Sequence, residues 1–568
     1  MLWTQEDEPI SPRQIAPDSL GTEKQRLQHA IQRARGELEE IALRVGVTAG
    51  KSAADIFRAH GAILSDAVFN AAVSRHIDDH QWAAEIAVSR TLEAYAERLA
   101  KAENAYFAAR AEDISDLRSR LLAHLRNEGP RRIPHPSRPS VLVVDNLAAA
   151  DVMALDRTNI LALVMLRSGT TSHAALLAST LGVPVVGGIP QLGGQVRNDD
   201  TVIIDANHGY VLVKPTELAQ REYSIRREIF QRFRGELAEL RELPAETIDG
   251  HKVRLSINIG LMEEIPNALA QGAEGIGLLR TEYFFLSHGR PPSEEEQYQF
   301  YRNIVQAVAP HAVTFRTFDL GADKMAGETI EGPEPNPMLG CRGIRLLLQC
   351  PEQFATQIRA LLRASVHGPI QIMFPLITSL TEFQDTMTAV NNIKKELRQN
   401  RIVFDQRVPF GCMIETPAAA TIPDILASEC EFFSIGSNDL IQYTLAADRG
   451  NARVSYIYEP LHMAVLRMMH RIIRAGHRHR RTISLCGEMA SDPIYTIILL
   501  GLGIDELSVN PAMVPAIKRI IRGVRRKDAR EVAHGVLKER RAKDVQTYLE
   551  QMMSKRFPQV MSVYGRAD

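Results

Sequence analysis

The stretch VPFGCMIETP, residues 408–417, is a short apolar run that ends in polar residues. It is one of eight β-like runs that follow Asp249, and a helix-like stretch follows each run. The other seven are RLSINIG (254–260), GIGLLRTE (275–282), VTFRTFDLG (313–321), IQIMFPLI (370–377), FFSIGSND (432–439), TISLCGEMA (482–490) and DELSVN (505–510). Eight strand–helix units within about 320 residues predict a (β/α)8 barrel, the TIM-barrel fold.

Charged, amide and thiol side chains stand at the C-terminal ends of most of these runs. They are Asn258, Arg280, Arg316, Asp319, Glu415, Asn438, Asp439, Cys486 and Glu488. One polar residue at a strand end is usually a cap or a turn residue, but such groups at most of eight ends indicate a site. Because the C-terminal strand ends form the active-site face of a (β/α)8 barrel, we expect a catalytic face here.

Three arginines on this face, Arg280, Arg316 and Arg449, are expected to converge with Asn438. Arginine offers a planar fork of donors that matches phosphate and carboxylate groups. The first interpretation is therefore an anion-binding site. The alternative is that each arginine pairs with a neighbouring carboxylate and only stabilises the fold.

Glu415 and Asp439 supply hard oxygen ligands at adjacent strand ends. Two carboxylates with substrate oxygens and waters are typical of a Mg²⁺ site, which would neutralise charge as a phosphoryl group leaves. The alternative is a pair of buried, hydrogen-bonded acids. Cys486 at a third strand end could donate a proton to a carbanion or enolate, although most lone cysteines are inert core residues.

A second informative stretch is SGTTSHAALLASTLGVPVVGG, residues 168–188. Three hydroxyl residues, Thr170, Thr171 and Ser172, precede His173, which begins a predicted short helix. The positive end of the helix dipole favours a neutral, nucleophilic imidazole and an attached phosphate. This arrangement suits covalent catalysis through phosphohistidine. The alternative is one more surface or core histidine among the 17 in the chain.

Composition and periodicity divide the chain into five segments, so the expected fold class is α/β and multidomain. The segments are an N-terminal tail at 1–20, a helical block at 21–128, a small α/β block at 129–215, a charged connecting helix at 216–245 and the barrel at 246–568. The helical block is nearly free of proline and repeats apolar residues at helical spacing. The Pro-rich stretch GPRRIPHPSRPS opens the α/β block, and TVIIDANHGYVLV predicts a hairpin near its end.

Charge and cysteine usage exclude several classes of protein. The 568-residue chain has 67 Lys and Arg against 68 Asp and Glu, a formal charge of −1, which argues against a dedicated nucleic-acid or polybasic membrane binder. No apolar run approaches the roughly 20 residues that cross a bilayer, so no membrane insertion is expected. Five scattered cysteines suggest neither a disulfide framework nor a zinc site, which favours the cytoplasm.

Three long stretches carry a family resemblance. They are GIGLLRTEYFF (275–285), IETPAAATIPDILASECEFFSIGSNDLIQYTLAADRGN (414–451) and LCGEMASDP (485–493). With them the chain resembles enzyme I of the bacterial sugar phosphotransferase system, a phosphoenolpyruvate–protein phosphotransferase. The resemblance implies a helical partner-docking domain, a small phosphohistidine domain and a barrel that binds phosphoenolpyruvate and forms a homodimer.

The resemblance also implies the course of the reaction. Phosphoenolpyruvate binds in the barrel with Mg²⁺, and its phosphoryl group passes to a histidine and then to the carrier HPr or an HPr-like protein, releasing pyruvate. At matching positions, His173 is the phosphorylated nucleophile and Cys486 protonates the enolate. Glu415 and Asp439 are the Mg²⁺ ligands. The implied substrate-binding residues are Arg280, Arg316, Arg342 (in GCRGIR), Asn438, Asp439 and Arg449.

Three segments depart from the family pattern. The family opens with a Gly-rich strand and a Ser-Pro-Gly signature, which the tail at 1–20 lacks, so the first strand of the α/β domain is expected to be missing or degenerate. Thr170 stands where the family has an arginine before the phosphorylated histidine. The carrier-docking segment IFRAHGAILSD keeps His60, Leu64 and Asp66 but has the small residues Gly61 and Ala62 after the histidine, which suggests a dedicated carrier.

Two alternatives to this function stay open. A relative of pyruvate phosphate dikinase or phosphoenolpyruvate synthase would share the phosphohistidine and barrel modules, but the helical block lacks the Gly-rich phosphate loop of a nucleotide-binding domain. A regulatory or truncated relative would bind HPr-like partners with little turnover, and Thr170 is its best support. Phosphate-dependent pyruvate release without a carrier favours the first, and carrier binding without phosphorylation favours the second.

Overall fold

A computed structural model describes most of the chain. The described residues are 2–3, 14–48, 57, 60–61, 63–100, 114, 117–126, 136–147, 151–152, 155, 158–167, 174–175, 178, 183–260, 262–287, 291–321, 336–449, 451 and 453–565. The chain forms two compact units, Met1–Ile225 and Arg226–Asp568. Within these ranges, no helix combines the length and apolar character that crossing a bilayer requires.

The first unit begins with a helical domain, as predicted. Its long helices are Leu20–Thr48, Ala67–His80 and Ala84–Ala100. Leu27, Ile31 and Leu38 lie on one stripe of the first helix and are buried in the core of this domain. An apolar residue recurs every three or four positions because the helix turns every 3.6 residues, so a single face of the helix is buried.

The same unit contains a small α/β part, most of which follows the helices in the chain. Its strands are β1 (Leu2–Trp3), β2 (Ser140–Val144), β3 (Ile160–Met165), β4 (Val185–Gly187), β5 (Val202–Asp205) and β6 (Tyr210–Val213). The first four form a parallel sheet in the order β1-β2-β3-β4. Strand β1 comes from the segment predicted as a tail, so a first strand is present, and the structure describes it at Leu2–Trp3. Strands β5 and β6 pair antiparallel, which confirms the predicted hairpin.

The helix Glu217–Glu239 follows the hairpin and lies within the segment predicted as a connecting helix. Only some of the apolar residues on this helix are buried. Phe233 and Leu237 pack in the core of the barrel, whereas Ile225 and Ile229 are exposed. The packed section of the helix therefore belongs to the second unit.

The second unit is a closed eight-stranded parallel barrel, which confirms the predicted fold. Its strands are β7 (Arg254–Ile259), β8 (Gly275–Arg280), β9 (Ala312–Arg316), β10 (Ile370–Phe374), β11 (Phe410–Ile414), β12 (Phe432–Ile435), β13 (Thr482–Leu485) and β14 (Glu506–Val509). The strands follow one another around the barrel in chain order, and β14 pairs with β7 to close it. Each of the eight β-like runs in the sequence thus contributes one strand.

Helices surround the barrel. They are Ile265–Ala270, Glu282–Ser287, Glu294–Val308, Ile344–Gln349, Pro351–Ala364, Leu380–Gln399, Pro417–Thr421, Pro423–Glu429, Ser437–Leu445, Met463–Arg478, Glu488–Ser491, Thr496–Leu502, Val514–Arg522, Arg526–Val536, Ala542–Arg556 and Pro558–Tyr564. Ser293 and Ser379 each begin a long helix with a capping box, in which the serine and a glutamate three residues later satisfy each other's backbone N–H groups.

Strand periodicity separates the two faces of the barrel wall. On β7, the alternate residues Leu255, Ile257 and Ile259 join the core between the strands and the helices. Because successive strand residues point to opposite faces, Ser256 and Asn258 face the barrel interior. The interior at the C-terminal side is therefore available for polar side chains.

Lys518 joins the end of the connecting helix to the first β/α unit. Its side chain is 1% exposed, and Nζ donates hydrogen bonds to the carbonyl oxygens of Arg241 (2.8 Å) and Gly272 (2.9 Å). Residue 272 must be glycine here, because its φ is +85° and an added Cβ would stand 2.0 Å from the carbonyl oxygen of Arg241. The buried ammonium thus fixes two chain turns that pack closely together.

Lys518→Met should destabilise the second unit, because it leaves two buried carbonyl groups without their donor. We expect the free energy of unfolding to fall by about 2 kcal/mol, measured from the urea midpoint. Lys527→Met is the control, since Lys527 is exposed and should leave the midpoint unchanged. Equal midpoints for wild type and Lys518→Met would contradict this role.

Candidate active site

The C-terminal strand ends carry the side chains that the sequence singles out. Arg280 is the last residue of β8, and Arg316 is the last residue of β9. Glu415 follows β11 directly, and Cys486 follows β13 directly. Because all eight strands are parallel, these positions share one face of the barrel.

Asp319 is the centre of a buried ion cluster on this face. Its two carboxylate oxygens accept hydrogen bonds from Nε (3.0 Å) and Nη2 (2.8 Å) of Arg342. Its Oδ2 atom also lies 3.2 Å from Nη1 of Arg316. The Asp319 side chain is 2% exposed, so both arginines are held by a carboxylate that solvent hardly reaches.

Glu282 holds the same cluster from the second side. Its Oε1 atom accepts hydrogen bonds from Nη2 of Arg316 (3.0 Å) and from the backbone N–H of Asp319 (2.9 Å). Burial by itself would lower the pKa of Arg316, but the surrounding carboxylates, led by Glu282 and Asp319, raise that pKa above its usual value. The guanidinium group is therefore permanently charged and fixed in orientation.

Arg342 approaches a further acid on the neighbouring part of the face. Its Nη2 atom lies 4.0 Å from Oδ2 of Asp439. Burial opposes the charged guanidinium, but the Asp319 carboxylate outweighs that effect and raises the pKa of Arg342. The hydroxyl group of Tyr443 donates to the carbonyl oxygen of Met338, whose sulfur accepts from Nη1 of Arg342 at 2.9 Å. The arginine is thereby restrained along its whole guanidinium edge.

Glu415 is 1% exposed and lies among like charges. Its Oε1 atom accepts a hydrogen bond from the backbone N–H of Leu376 at 2.7 Å. Burial raises the pKa of Glu415 well above its usual value, and the nearby carboxylates of Asp439 and Asp319 raise it further. Glu415 and Asp439, the predicted pair of acids, are thus close enough to interact electrostatically. The positive charge of Arg316 nearby does not fully offset the effect of burial and of the neighbouring carboxylates on the pKa of Glu415.

Asn438 and Asp439 lie in the first turn of the helix Ser437–Leu445, just beyond β12. Asn438 bonds twice to Glu488: Nδ2 donates to Oε1 (3.0 Å), and Oδ1 accepts from the backbone N–H (2.8 Å). Oε1 of Glu488 also lies 3.2 Å from Nη1 of Arg449. Asn438 and Arg449 therefore share Glu488 as a common partner, while the convergence of all three arginines with Asn438 stays a prediction.

Cys486 is buried at the mouth of the barrel. Its residue is 3% exposed, and burial raises the pKa of the thiol to about 11. Its backbone carbonyl accepts from Nδ2 of Asn258 (3.0 Å), and Oδ1 of Asn258 accepts from the hydroxyl group of Ser508 (2.7 Å). The thiol thus keeps its proton at neutral pH. The backbone of Cys486 is fixed by Asn258, whose side chain lies in the barrel interior.

The three arginines differ in their partners. Arg316 and Arg449 have carboxylate partners. Arg280 is half-buried at the end of β8 and forms no ion pair within the described part of the chain. Arg280 is accordingly the arginine best prepared to receive an anion without first losing a protein partner.

The candidate nucleophile cannot be placed in the same way. His173 lies outside the described residues, as do Thr170, Thr171 and Ser172. In the candidate docking segment, His60 and Leu64 are buried in the helical core, whereas Asp66 is exposed. The role of His173 stays a prediction from the sequence.

Sequence reasoning missed Glu282, which the structure shows to be a main partner of Arg316. The signal in the sequence is its position, since Glu282 follows the end of β8 by two residues. No comparable signal exists for Gln357, which lies on the helix Pro351–Ala364. Its amide oxygen accepts from the backbone N–H of Phe318, and its amide nitrogen donates to the hydroxyl group of Thr281.

Comparison with known families and proteins gives matches over nearly the whole chain. Three family models match: the PEP-binding domain of PEP-utilising enzymes (residues 234–526), their N-terminal domain (2–110) and their mobile domain (136–209). A phosphoenolpyruvate-protein phosphotransferase of Haemophilus influenzae is 35% identical over 96% of this chain and 95% of that protein. Proteins of the same name from Geobacillus stearothermophilus (36% identical, 93% and 92% covered) and Bacillus subtilis (35%, 93% and 93%) are similarly close.

Asp319→Ala should destabilise the barrel strongly, because Arg316 and Arg342 would remain buried with less compensating charge. We expect a loss of about 3 kcal/mol in the free energy of unfolding, measured by urea titration. Asp528→Ala removes a half-exposed pair with Arg556 and should cost less than about 1 kcal/mol. Similar losses in the two variants would contradict a central role for Asp319.

Proposed function

Because the chain belongs to the family of phosphoenolpyruvate-protein phosphotransferases, which are PEP-utilising enzymes, we infer that the residues at the mouth of its barrel bind phosphoenolpyruvate and start the transfer of its phosphoryl group. The protein is a phosphotransferase that uses phosphoenolpyruvate as donor and a protein nitrogen as acceptor, in the sugar phosphotransferase system. The observation that carries the assignment of the site is the fixed, buried cluster of arginines and carboxylates around Asp319.

Phosphoenolpyruvate carries a phosphate and a carboxylate, and arginine forks match both groups. We propose that Arg280, Arg316 and Arg342 contact the phosphate and that Arg449 and Asn438 contact the remaining anionic part. Arg316 and Arg342 are already ordered by Asp319, so little conformational freedom is lost when the substrate binds. Phosphoryl transfer depends on such positioning and on charge stabilisation more than on covalent chemistry by the protein.

PEP-utilising enzymes of this family are generally metal-dependent, and the donor set here fits Mg²⁺. Arg316 and Arg342 face the carboxylates of Glu282, Asp319, Glu415 and Asp439, an excess of two negative charges when all four are ionised. The raised pKa of Glu415 reflects burial and this excess.

We propose that Glu415 and Asp439 hold the cation. Among the described residues, no group of three or more His, Cys, Asp or Glu side chains is arranged to hold a metal. Mg²⁺ commonly binds through one or two carboxylates, with substrate oxygens and waters completing its ligands. Such an ion would neutralise charge on the substrate as the phosphoryl group leaves.

Cys486 is the proposed acid for the second half of the reaction. When the phosphoryl group leaves, the electrons of the broken P–O bond remain on the enol oxygen, and C3 of the enolate must gain a proton. The buried thiol, with its pKa near 11, is protonated at neutral pH and lies on the same face as the arginines. Cys486 can therefore deliver that proton directly.

His173 is the proposed acceptor of the phosphoryl group. The sequence places it after three hydroxyl residues in the segment matched by the mobile-domain model. We propose that the phosphohistidine passes its phosphoryl group to an HPr-like carrier on the helical domain, and that the protein is a cytoplasmic homodimer. The carrier, the dimer and the compartment follow from the family and remain predictions.

Labelled phosphoenolpyruvate tests the transfer to His173. With Mg²⁺, the wild-type protein should acquire a label that is labile in acid and stable in base, and His173→Ala should acquire none. His479→Ala is the control, since His479 is exposed at the end of the helix Met463–Arg478 and should label normally. An unlabelled wild type would favour the regulatory or truncated alternative, and a labelled His173→Ala protein would exclude His173 as acceptor.

Cation binding can be tested without measuring activity. Mg²⁺ should raise the thermal midpoint of the wild-type protein, because it binds the folded state and offsets the excess carboxylate charge. Glu415→Gln should remove most of that rise, whereas Glu429→Gln, at an exposed position, should retain it. An equal Mg²⁺ response in wild type and Glu415→Gln would contradict the proposed ligand.

A further inference from the structure

Ser434 lies beside the sulfur atom of Cys486. It is the third residue of β12, it is fully buried, and its hydroxyl group donates a hydrogen bond to Sγ of Cys486 at 3.2 Å. Strands β12 and β13 are neighbours in the barrel, and Ser434 is paired in register with Ser484, two residues before Cys486. The contact is therefore set by the strand register and not by a flexible loop.

The sulfur has one further polar contact, since the thiol donates to the carbonyl oxygen of Ile435 at 3.7 Å, and its other neighbours are largely apolar. Cys486 belongs to a small cluster with Leu278, Met373, Met413 and Phe432, which is separate from the main core of the barrel. Among the described residues, the hydroxyl group of Ser434 is the only side chain that hydrogen-bonds to this sulfur. A buried hydroxyl group costs stability unless it is hydrogen-bonded, and the Ser434 hydroxyl group makes its bond to the thiol.

We infer that Ser434 is a positioning residue for proton delivery by Cys486: its hydroxyl group stabilises the sulfur as the thiol gives its proton to the enolate of pyruvate. This inference rests on the proposed role of Cys486 as the acid. It adds a residue that acts through the thiol and has no contact of its own with the substrate.

The proton balance of the step is simple. The S–H bond of Cys486 breaks, its proton forms a new C–H bond at C3 of the enolate, and the bonding electrons remain on sulfur as a thiolate. The O–H group of Ser434 keeps its own proton and donates a hydrogen bond to the thiolate, which is stronger than the bond to the neutral thiol because the acceptor is charged. Solvent water later returns a proton to the sulfur.

A matched control exists on the neighbouring strand. Ser484 is also buried, but its hydroxyl group donates to the carbonyl oxygen of Phe433 at 3.4 Å. Ser434→Ala and Ser484→Ala therefore remove the same atom from adjacent, registered positions of the barrel. Only the first removes a bond to Cys486.

The test uses the full chain with Mg²⁺ and two readouts. The first is the rate at which label from phosphoenolpyruvate appears on the enzyme, which reports phosphoryl transfer. The second is the exchange of pyruvate methyl protons for deuterium in D2O, followed by NMR, which reports proton transfer between Cys486 and C3 in either direction. We expect Ser434→Ala to change the rate of proton transfer and to leave the rate of phosphoryl transfer nearly unchanged.

Ser434→Ala should slow the methyl exchange about tenfold and leave the labelling rate within about twofold of wild type. Ser484→Ala should leave both rates unchanged. Ser434→Cys, which keeps a weaker donor of similar size, should fall between wild type and Ser434→Ala. Ser434→Cys also provides the test if Ser434→Ala does not fold.

Contradicting outcomes separate the inference from the function on which it rests. The Cys486→Ala variant should lose the exchange of pyruvate methyl protons. If it does, a wild-type exchange rate in Ser434→Ala or Ser434→Cys overturns the role of Ser434 alone. An equal loss of exchange in Ser434→Ala and Ser484→Ala does the same. Normal exchange in Cys486→Ala, or no exchange in wild type, overturns the role of Cys486 and the inference with it. Normal labelling in any of these cases leaves the phosphotransferase function standing.

Discussion

Asp319 accepts two hydrogen bonds from Arg342 and lies 3.2 Å from Arg316, in a part of the barrel mouth that solvent hardly reaches. Two guanidinium groups in such a place must be balanced by carboxylates, since an unpaired buried charge is strongly unfavourable. Glu282 supplies a second balancing group and also fixes the backbone of Asp319. The resulting network holds the guanidinium groups in place before a substrate arrives.

The carboxylates around Arg316 and Arg342 carry more negative charge than the two guanidinium groups carry positive charge. This excess affects several other groups at the barrel mouth. It accounts, with burial, for the raised pKa of Glu415, and it is the reason for proposing a cation at Glu415 and Asp439. Arg280 has no ion pair among the described residues, which supports its proposed role in binding an anion. Cys486 lies in an apolar cluster at the same barrel mouth, where burial raises the pKa of its thiol, as the proposed proton donor requires.

The sequence could predict the barrel because its signal is local. Each strand is an apolar run bounded by a polar end, and the C-terminal ends of parallel strands must share one face, so Arg316, Glu415 and Cys486 could be assigned to that face before their distances were known. Contacts across the barrel carry no such local signal. The bond from Ser434 to Cys486 and the bonds from Lys518 to two distant carbonyls depend on strand register and helix packing, which emerge only in three dimensions.

We propose that the barrel mouth, and not the segment around His173, holds phosphoenolpyruvate. Calorimetric titration of phosphoenolpyruvate with Mg²⁺ into His173→Ala protein tests this location, because this variant can bind the substrate without consuming it. We expect wild-type affinity for His173→Ala and at least about tenfold weaker binding when Arg280→Met is added. Unchanged affinity in the doubly substituted protein, or lost binding in His173→Ala alone, would contradict it.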